Sequence, residues 1–398
     1  MSLGKQAAHA GLWLASFRFV SQALSWVVTI AVARILSPGD YGLMAMASIL
    51  TGYVEVFSEM GMGAAIVQRE SVSARELSSN FWFSLMVGCG FAVSTFALAY
   101  PTAWIFENSQ VIPLTQTISI LFIVGALMVV PFNMLSRELR FREIGMLQLV
   151  AAVLSSLAIL WMAHHDYGVW TLIGGVIVLR VSTVVMVFYL SGWRPAWHYR
   201  FDEVKPFLRF GLGVAGSRSL FYCFQKIDKL IVGKMLDVQA LGFYSFAMEM
   251  ASLPTDKLVS IVNQVSLPLF SKIRQERTQL VEMYLKVTRY VTLAAAPLFL
   301  AGAVFGEDIV RALLGEKWEP CIFLFRAFCL VQLLVAVSSL HGVVHTALGY
   351  PARLMRLYAV LLGVMAPALF VASTYGVNAL AVPWLILYPL VWVGWTGV

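Results

Sequence analysis

Apolar residues run through this chain in long unbroken stretches, and charged residues gather in the short intervals between them. The stretches lie near 11–33, 41–63, 80–100, 112–132, 144–163, 168–190, 211–236, 240–263, 287–305, 320–342, 354–373 and 376–396. Each approaches the roughly 20 apolar residues that an α-helix needs to cross a bilayer. The runs lack the alternation of polar and apolar positions that marks a membrane barrel. The pattern therefore predicts an all-α, polytopic membrane protein with about 12 transmembrane helices. With 398 residues, 60% of them hydrophobic and 12% charged, little chain remains for a separate soluble domain.

A second pattern has a period of 200 residues. GLWLASFRF at 11–19 aligns with GLGVAGSRS at 211–219, so Arg18 falls on Arg218; ARIL at 33–36 aligns with GKML at 233–236, and Gly42 with Gly242. Near the end of each half, YGVWTL at 167–172 resembles YGVNAL at 375–380. The repeat predicts two six-helix bundles, residues 1–190 and 211–398. Between them SGWRPAWHYRFDEVKPFLRF, at 191–210, mixes Trp, Phe, Pro and basic residues as a stretch along the inner membrane interface would.

Charge placement sets the expected orientation. Of the 28 Lys and Arg, 17 fall in the loops on the N-terminal side of the membrane and four, Arg34, Lys234, Arg311 and Lys317, on the other. Positive charge stays in the cytoplasm, so the N-terminus is expected inside. The calculated pI of 9.2 is then a topology signal, and the dispersed basic residues form no nucleic-acid stripe. Lys5 followed by an apolar run imitates a signal peptide, but Arg18 interrupts the run and no cleavage site follows, so an uncleaved first helix is expected.

Charges inside the apolar stretches carry the candidate chemistry, because a charge in lipid is costly unless it faces a polar cavity. The first helix carries Arg18, Gln22, Ser25 and Thr29 on one face, and the seventh carries Arg218, Tyr222, Gln225 and Lys229 at the same places 200 residues later. These read as the lining of one hydrated cavity, with an interhelical hydrogen-bond seam as the alternative. Repeated bundles commonly place a transport site at such equivalent positions. Glu55, Asp228 and Asp256 are the candidates for binding a proton or Na+. Arg180 and Arg326, near segment ends, read as snorkelling side chains.

Other signals are set aside. GLGVAG at 211–216 matches a dinucleotide fingerprint in letters only, since it opens an apolar helix where that motif needs a preceding strand. His341 and His345 share a helix face but lack the Glu and third ligand of a zinc site. No P-loop is present. Cys89, Cys223, Cys321 and Cys329 read as small packing residues. No cofactor or metal is expected.

Several stretches resemble the polysaccharide-exporting flippases of the multidrug/oligosaccharidyl-lipid/polysaccharide superfamily, especially the colanic acid and exopolysaccharide branch. They are ARILSPGDYGLMAMASIL at 33–50, FSEMGMGAAIVQRESVSAREL at 57–77, PFNMLSRELRFREIGML at 131–147, FLRFGLGVAGSRSLFYCFQKIDKLIVGKML at 207–236, LPLFSKIRQE at 267–276 and FGEDIVRALLGEKW at 305–318. The resemblance implies a transporter, not an enzyme, in the bacterial inner membrane. It would flip undecaprenyl-pyrophosphate-linked oligosaccharide repeat units to the outer leaflet, beside a polysaccharide polymerase and chain-length proteins. Arg18, Arg218 and Lys229 would hold the phosphates, and Gln22, Ser25, Tyr222 and Gln225 the sugar hydroxyls. Members of that branch run longer, so the resemblance also implies a shortened chain or a fragment. The competing readings are a lipid II flippase and a multidrug/cation antiporter of the same superfamily; a glycan polymerase would need larger outer loops.

Overall fold

The computed structural model describes residues 3–58, 63, 66–67, 72–348 and 350–396. Within those ranges its side chains are described except at 3–15, 55–58, 206–219, 256–258, 260–261, 263–265, 267–268, 351–352 and 396. The described residues form helices and no strand. In chain order the long helices are α1 (Leu3–Ile35), α2 (Pro38–Ser58), α3 (Ala74–Phe106), α4 (Val111–Arg137), α5 (Phe141–His164) and α6 (Trp170–Ser191). After the segment 192–200 come α7 (Phe201–Met235), α8 (Val238–Ile273), α9 (Arg277–Val304), the short α10 (Gly306–Leu314), α11 (Ile322–Ala347), α12 (Pro351–Ser373) and α13 (Ala381–Thr396).

Among the described residues, nine helices are long and apolar enough to span a bilayer. α2, α7 and α8 stand outside the nine. Parts of all three lie outside the residues whose side chains are described. The outer segment expected as a loop instead folds into α10 and a 3-10 turn at Glu316–Cys321, with Trp318 fully buried against Phe246 at a ring separation of 4.2 Å.

The 200-residue repeat is visible in the backbone. α1 ends at Ile35 and α2 begins at Pro38; α7 ends at Met235 and α8 begins at Val238. In both turns the following leucine closes the same helical bond, Leu36 N–H to Val32 O and Leu236 N–H to Val232 O, each 2.9 Å. Both second helices start from a polar cap. Asp237 accepts from the Ala240 amide, and Ser37 exchanges hydrogen bonds with Asp40. Gly168 and Gly376, the matched glycines of the two YGV turns, both take positive φ, at 54° and 99°.

The chain divides into two compact units, Met1–Ser219 and Leu220–Val398. The division falls within α7, past the 191–210 segment that the sequence pattern suggests as the boundary. In the first unit α3 packs on α4, α1 on α5, and α6 on both α4 and α5. Small residues allow the close approaches, as usual between membrane helices. A methyl at Gly88 of α3 would lie 2.6 Å from the Ala126 methyl of α4 and 2.8 Å from the Phe122 carbonyl oxygen. In the second unit α11 packs on α8 and α9, and α13 on α11 and α12.

Residues 192–203 lie across the start of α3. Gly192, at φ 60°, ends α6 and turns the chain. The Ala196 amide donates to Ser78 Oγ at 3.2 Å, and Trp82 Nε1 donates back to the Ala196 carbonyl at 2.8 Å. Ser79 Oγ accepts from the Arg200 amide at 3.1 Å and donates to Glu203 at 2.5 Å. His198 Nε2 lies 3.0 Å from the same carboxylate.

Candidate functional site

Among the described residues of the candidate set, Asp228 is the most completely enclosed charged one, 2% exposed on α7. A carboxyl group taken from water at that depth needs donors, because an unpaired buried polar group is costly. Two are supplied. The Lys229 amide donates to Oδ1 at 2.6 Å, and the Tyr244 hydroxyl, from α8, donates to Oδ2 at 2.9 Å. The Tyr244 oxygen accepts in turn from Trp384 Nε1 of α13 at 2.9 Å. Tyr244 is fully buried, with its ring edge-on to Phe328 of α11 at 5.1 Å. A chain of hydrogen bonds thus runs from α7 through α8 to α13, inside the second unit. Around it stand Phe224, stacked on Tyr388 at 6.5 Å, and Tyr388 itself, whose hydroxyl lies 3.1 Å from Ser338 Oγ.

The duplicated half tests whether the fold requires this arrangement. By the register of the matched turns, Asp228 corresponds to Val28, which is 5% exposed in an apolar cluster with Val32 and Leu36. Tyr244 corresponds to Met44 in the same register. An aliphatic residue therefore serves at this helical position, and the carboxyl is an addition peculiar to the second repeat.

The remaining expected residues divide by environment. Arg18 is exposed on α1, and its Nε donates to Gln148 Oε1 of α5 at 3.3 Å. Gln22 is half-buried and Ser25 exposed on the same helix. On α7, Tyr222 and Lys229 are half-buried and Gln225 is exposed. Lys226, absent from the expected stripe, places its ammonium 5.8 Å from the Tyr222 ring centre, a cation–π distance. The side chains of Arg218, Glu55 and Asp256 lie outside the described residues. Asp228 is turned away from the stripe of its helix, into the packing against α8 and α13.

Arg326 and Cys89 depart from expectation. Arg326 does more than snorkel, since its Nε donates to the Ala303 carbonyl at the end of α9 at 2.7 Å. Cys321 and Cys329 are buried packing residues, whereas Cys89 is exposed on α3. The His341 and His345 rings lie 4.2 Å apart, tilted by 47°, and the His345 ring bonds the His341 carbonyl at 3.0 Å. Among the described residues no three His, Cys, Asp or Glu are grouped to hold a metal ion.

Sequence reasoning missed Tyr244, Trp384 and Gln148. The first two sit in apolar runs as ordinary aromatic residues, and only tertiary packing sets the Tyr244 hydroxyl on Asp228 and the Trp384 ring nitrogen on Tyr244.

Comparison with known proteins adds to this geometry. A family model described as polysaccharide biosynthesis protein matches residues 31–323. The lipopolysaccharide biosynthesis protein WzxC of Escherichia coli (strain K12) is 26% identical over 346 residues, 85% of this chain and 69% of that protein. The teichuronic acid biosynthesis protein TuaB of Bacillus subtilis (strain 168) is 24% identical over 301 residues, 75% and 62% respectively. The chain thus spans about two thirds of the length of these relatives. Among solved structures, the lipid II flippase MurJ in an inward closed conformation superposes with a TM-score of 0.76 over 96% of this chain and 86% of that one, at 14% identity. An inward-facing MATE family transporter of the MOP superfamily gives 0.69 over 93% of each chain, at 12% identity. At those identities the superpositions establish a shared fold.

Proposed function

The chain belongs to the polysaccharide biosynthesis protein family, and from that membership we propose that it is a flippase for lipid-linked oligosaccharides. Its cargo is a polyprenyl-pyrophosphate-linked repeat unit, moved by alternating access from the cytoplasmic to the outer leaflet of the bacterial inner membrane. The observation that carries this reading is the family match over residues 31–323 on a fold shared with a lipid II flippase. The bias of 17 basic loop residues against four supports a cytoplasmic N-terminus. The matched turns support two six-helix repeats, 1–190 and 211–398, joined by 191–210.

The chemistry of the cargo fits the charged helices. A pyrophosphate requires cations, and arginine's planar fork matches its oxygens. Arg18, Arg218 and Lys229 are the phosphate-binding residues of this reading. Gln22, Ser25, Tyr222 and Gln225 have donors and acceptors for sugar hydroxyls. Asp228, Glu55 and Asp256 are the groups that bind the coupling proton or Na+, with Asp228 favoured by its enclosure in the second repeat. Outward movement of phosphate charge against an inside-negative potential is favourable by about 2.3 kcal/mol per charge per 100 mV, so coupling is needed for the return of the empty carrier. Lipid II carries the same pyrophosphate and is the nearest competing cargo; the two named relatives, both of surface-polymer biosynthesis, favour the polysaccharide precursor.

The test is flipping of a fluorescent polyprenyl-pyrophosphate oligosaccharide in proteoliposomes, with lipid II as the comparison. Transport faster with an imposed potential, and lost in Arg18→Ala and Arg218→Ala proteins that still insert, supports the reading. Undiminished transport in both variants overturns the residue assignment, and transport of lipid II alone overturns the cargo.

A further inference from the structure

We propose that residues 193–205, with the start of α3, form a binding surface for anionic phospholipid headgroups. The surface is independent of the transported cargo.

The first observation is a large apolar ring held out from the protein by a rigid backbone. Trp197 is 91% exposed, yet its neighbours are fixed on both sides: Ala196 is bonded through both its amide and its carbonyl to Ser78 and Trp82, and the Arg200 amide to Ser79. Ser79 is fully buried and Ser78 is 2% exposed, so the backbone is bonded to the core of α3. One face of the Trp197 ring stacks on Trp82, with centroids 4.6 Å apart and planes 21° from parallel. Phe201, 51% exposed, leans on Phe83, and Tyr199 is 43% exposed beside it. Holding such rings in water is unfavourable. At the ends of membrane helices, however, tryptophan and tyrosine settle at headgroup depth, one part apolar and the other wet. This segment starts where the membrane-spanning α6 ends and lies on the first turns of α3.

The second observation is charge. Arg194, Arg200 and Lys205 are exposed along the segment, and exposed Arg75 lies one helical turn before Ser79, the residue that anchors Arg200. The opposing carboxylates are Glu76, Asp202 and Glu203. Glu76 accepts from the amide and hydroxyl of Ser73, and Glu203 accepts from Ser79 and His198, which leaves Asp202 exposed to the solvent. Basic residues directly beside membrane helices attract anionic lipids, and the phosphate of a glycerophospholipid is the group that such arginines recognise. Aromatic anchor and basic rim together match the two halves of that headgroup region.

The experiment titrates short-chain phosphatidylglycerol, then phosphatidylcholine, into the whole chain purified in neutral detergent, with bound lipid counted by native mass spectrometry. Phosphatidylglycerol is expected to bind more tightly. Arg194→Gln with Arg200→Gln should weaken it roughly 25-fold, about fivefold per cation. Trp197→Ala should weaken it with every charge intact, and Arg194→Lys with Arg200→Lys should retain most of the binding, so a misfolded Gln variant cannot stand in for a positive result. Equal affinity for the two lipids overturns the proposal, as does full binding by the Gln variant. Competition by glycerol 1-phosphate as strong as by the lipid, with no effect of Trp197→Ala, would make this a plain phosphate site and overturn it equally.

Discussion

The Tyr244 hydroxyl, on α8, donates to the buried carboxyl of Asp228 on α7 at 2.9 Å while accepting a hydrogen bond from Trp384 on α13. One oxygen thereby serves both a buried acceptor and a buried donor. Tyr244→Phe orphans both, at a cost of about 1–3 kcal/mol for each group left unsatisfied. Trp384→Phe orphans neither carboxyl oxygen and is expected to be the milder change. Thermal unfolding of the two variants in detergent gives the order, and the reverse order would refute the assigned direction of the bonds.

Asp228 is also expected to be separable from folding, because its counterpart in the first repeat is Val28. Asp228→Asn should insert and fold, yet transport in proteoliposomes should no longer respond to an imposed proton or Na+ gradient. A variant whose transport still follows the gradient would remove Asp228 from ion coupling.

Gly88 tests the close packing of α3 on α4. Gly88→Val drives a branched side chain into the Phe122 carbonyl and the Ala126 methyl, and overpacking of this kind costs about 1–3 kcal/mol. Combination with Ala126→Gly should recover part of the loss, measured by unfolding temperature in a double-mutant cycle.

Glu203 makes the docking of 192–203 pH-dependent. Hydrogen bonds from Ser79 and then His198 hold its carboxyl below its ordinary value of 4.5. A group with a lowered folded pKa stabilises the docked state above its unfolded value, and the contribution is lost as pH falls through the folded value. The protection factors of the Ala196 and Arg200 amides, each rate divided into the intrinsic rate at the same pH, should therefore be high at pH 7 and fall below about pH 4.5. In Glu203→Gln that dependence should vanish; unchanged dependence would assign it to another group.

The segment 306–321 separates burial from surface charge. Trp318 is fully buried, and Trp318→Ala should cost about 3–5 kcal/mol. Arg311 pairs with Glu307 at 2.7 Å and Glu319 at 2.9 Å, but its side chain is 52% exposed. Exposed pairs contribute about 0–1 kcal/mol, so Glu307→Ala should scarcely move the unfolding temperature.

How much of this was legible in the sequence depended on whether the signal was local. The continuous apolar runs announced membrane helices, and the matched ARIL and GKML segments announced the two equivalent turns at 36–37 and 236–237. Asp228 stood out as a charge in an apolar stretch. Its partners did not, because a buried tyrosine and tryptophan look like packing until three helices meet. The stripe of Arg18, Gln22 and Ser25 was readable as spacing, while the bond from Arg18 to Gln148, 130 residues on, had no local trace. In the segment after α6, the mixture of aromatic and basic residues predicts a stretch along the membrane interface. Its anchorage left only the polar triplet Ser78, Ser79 and Asn80 at the head of an apolar run.

The bonds between Ser79 and residues 200–203 close a loop of more than 120 residues that contains α3, α4, α5 and α6. A contact of such long separation is made late, after the helices between its ends are already packed, because loop closure must be met before it is rewarded. Because four helices lie between Ser79 and Arg200, the bond requires that the start of α3 and the chain after α6 reach the same end of the unit.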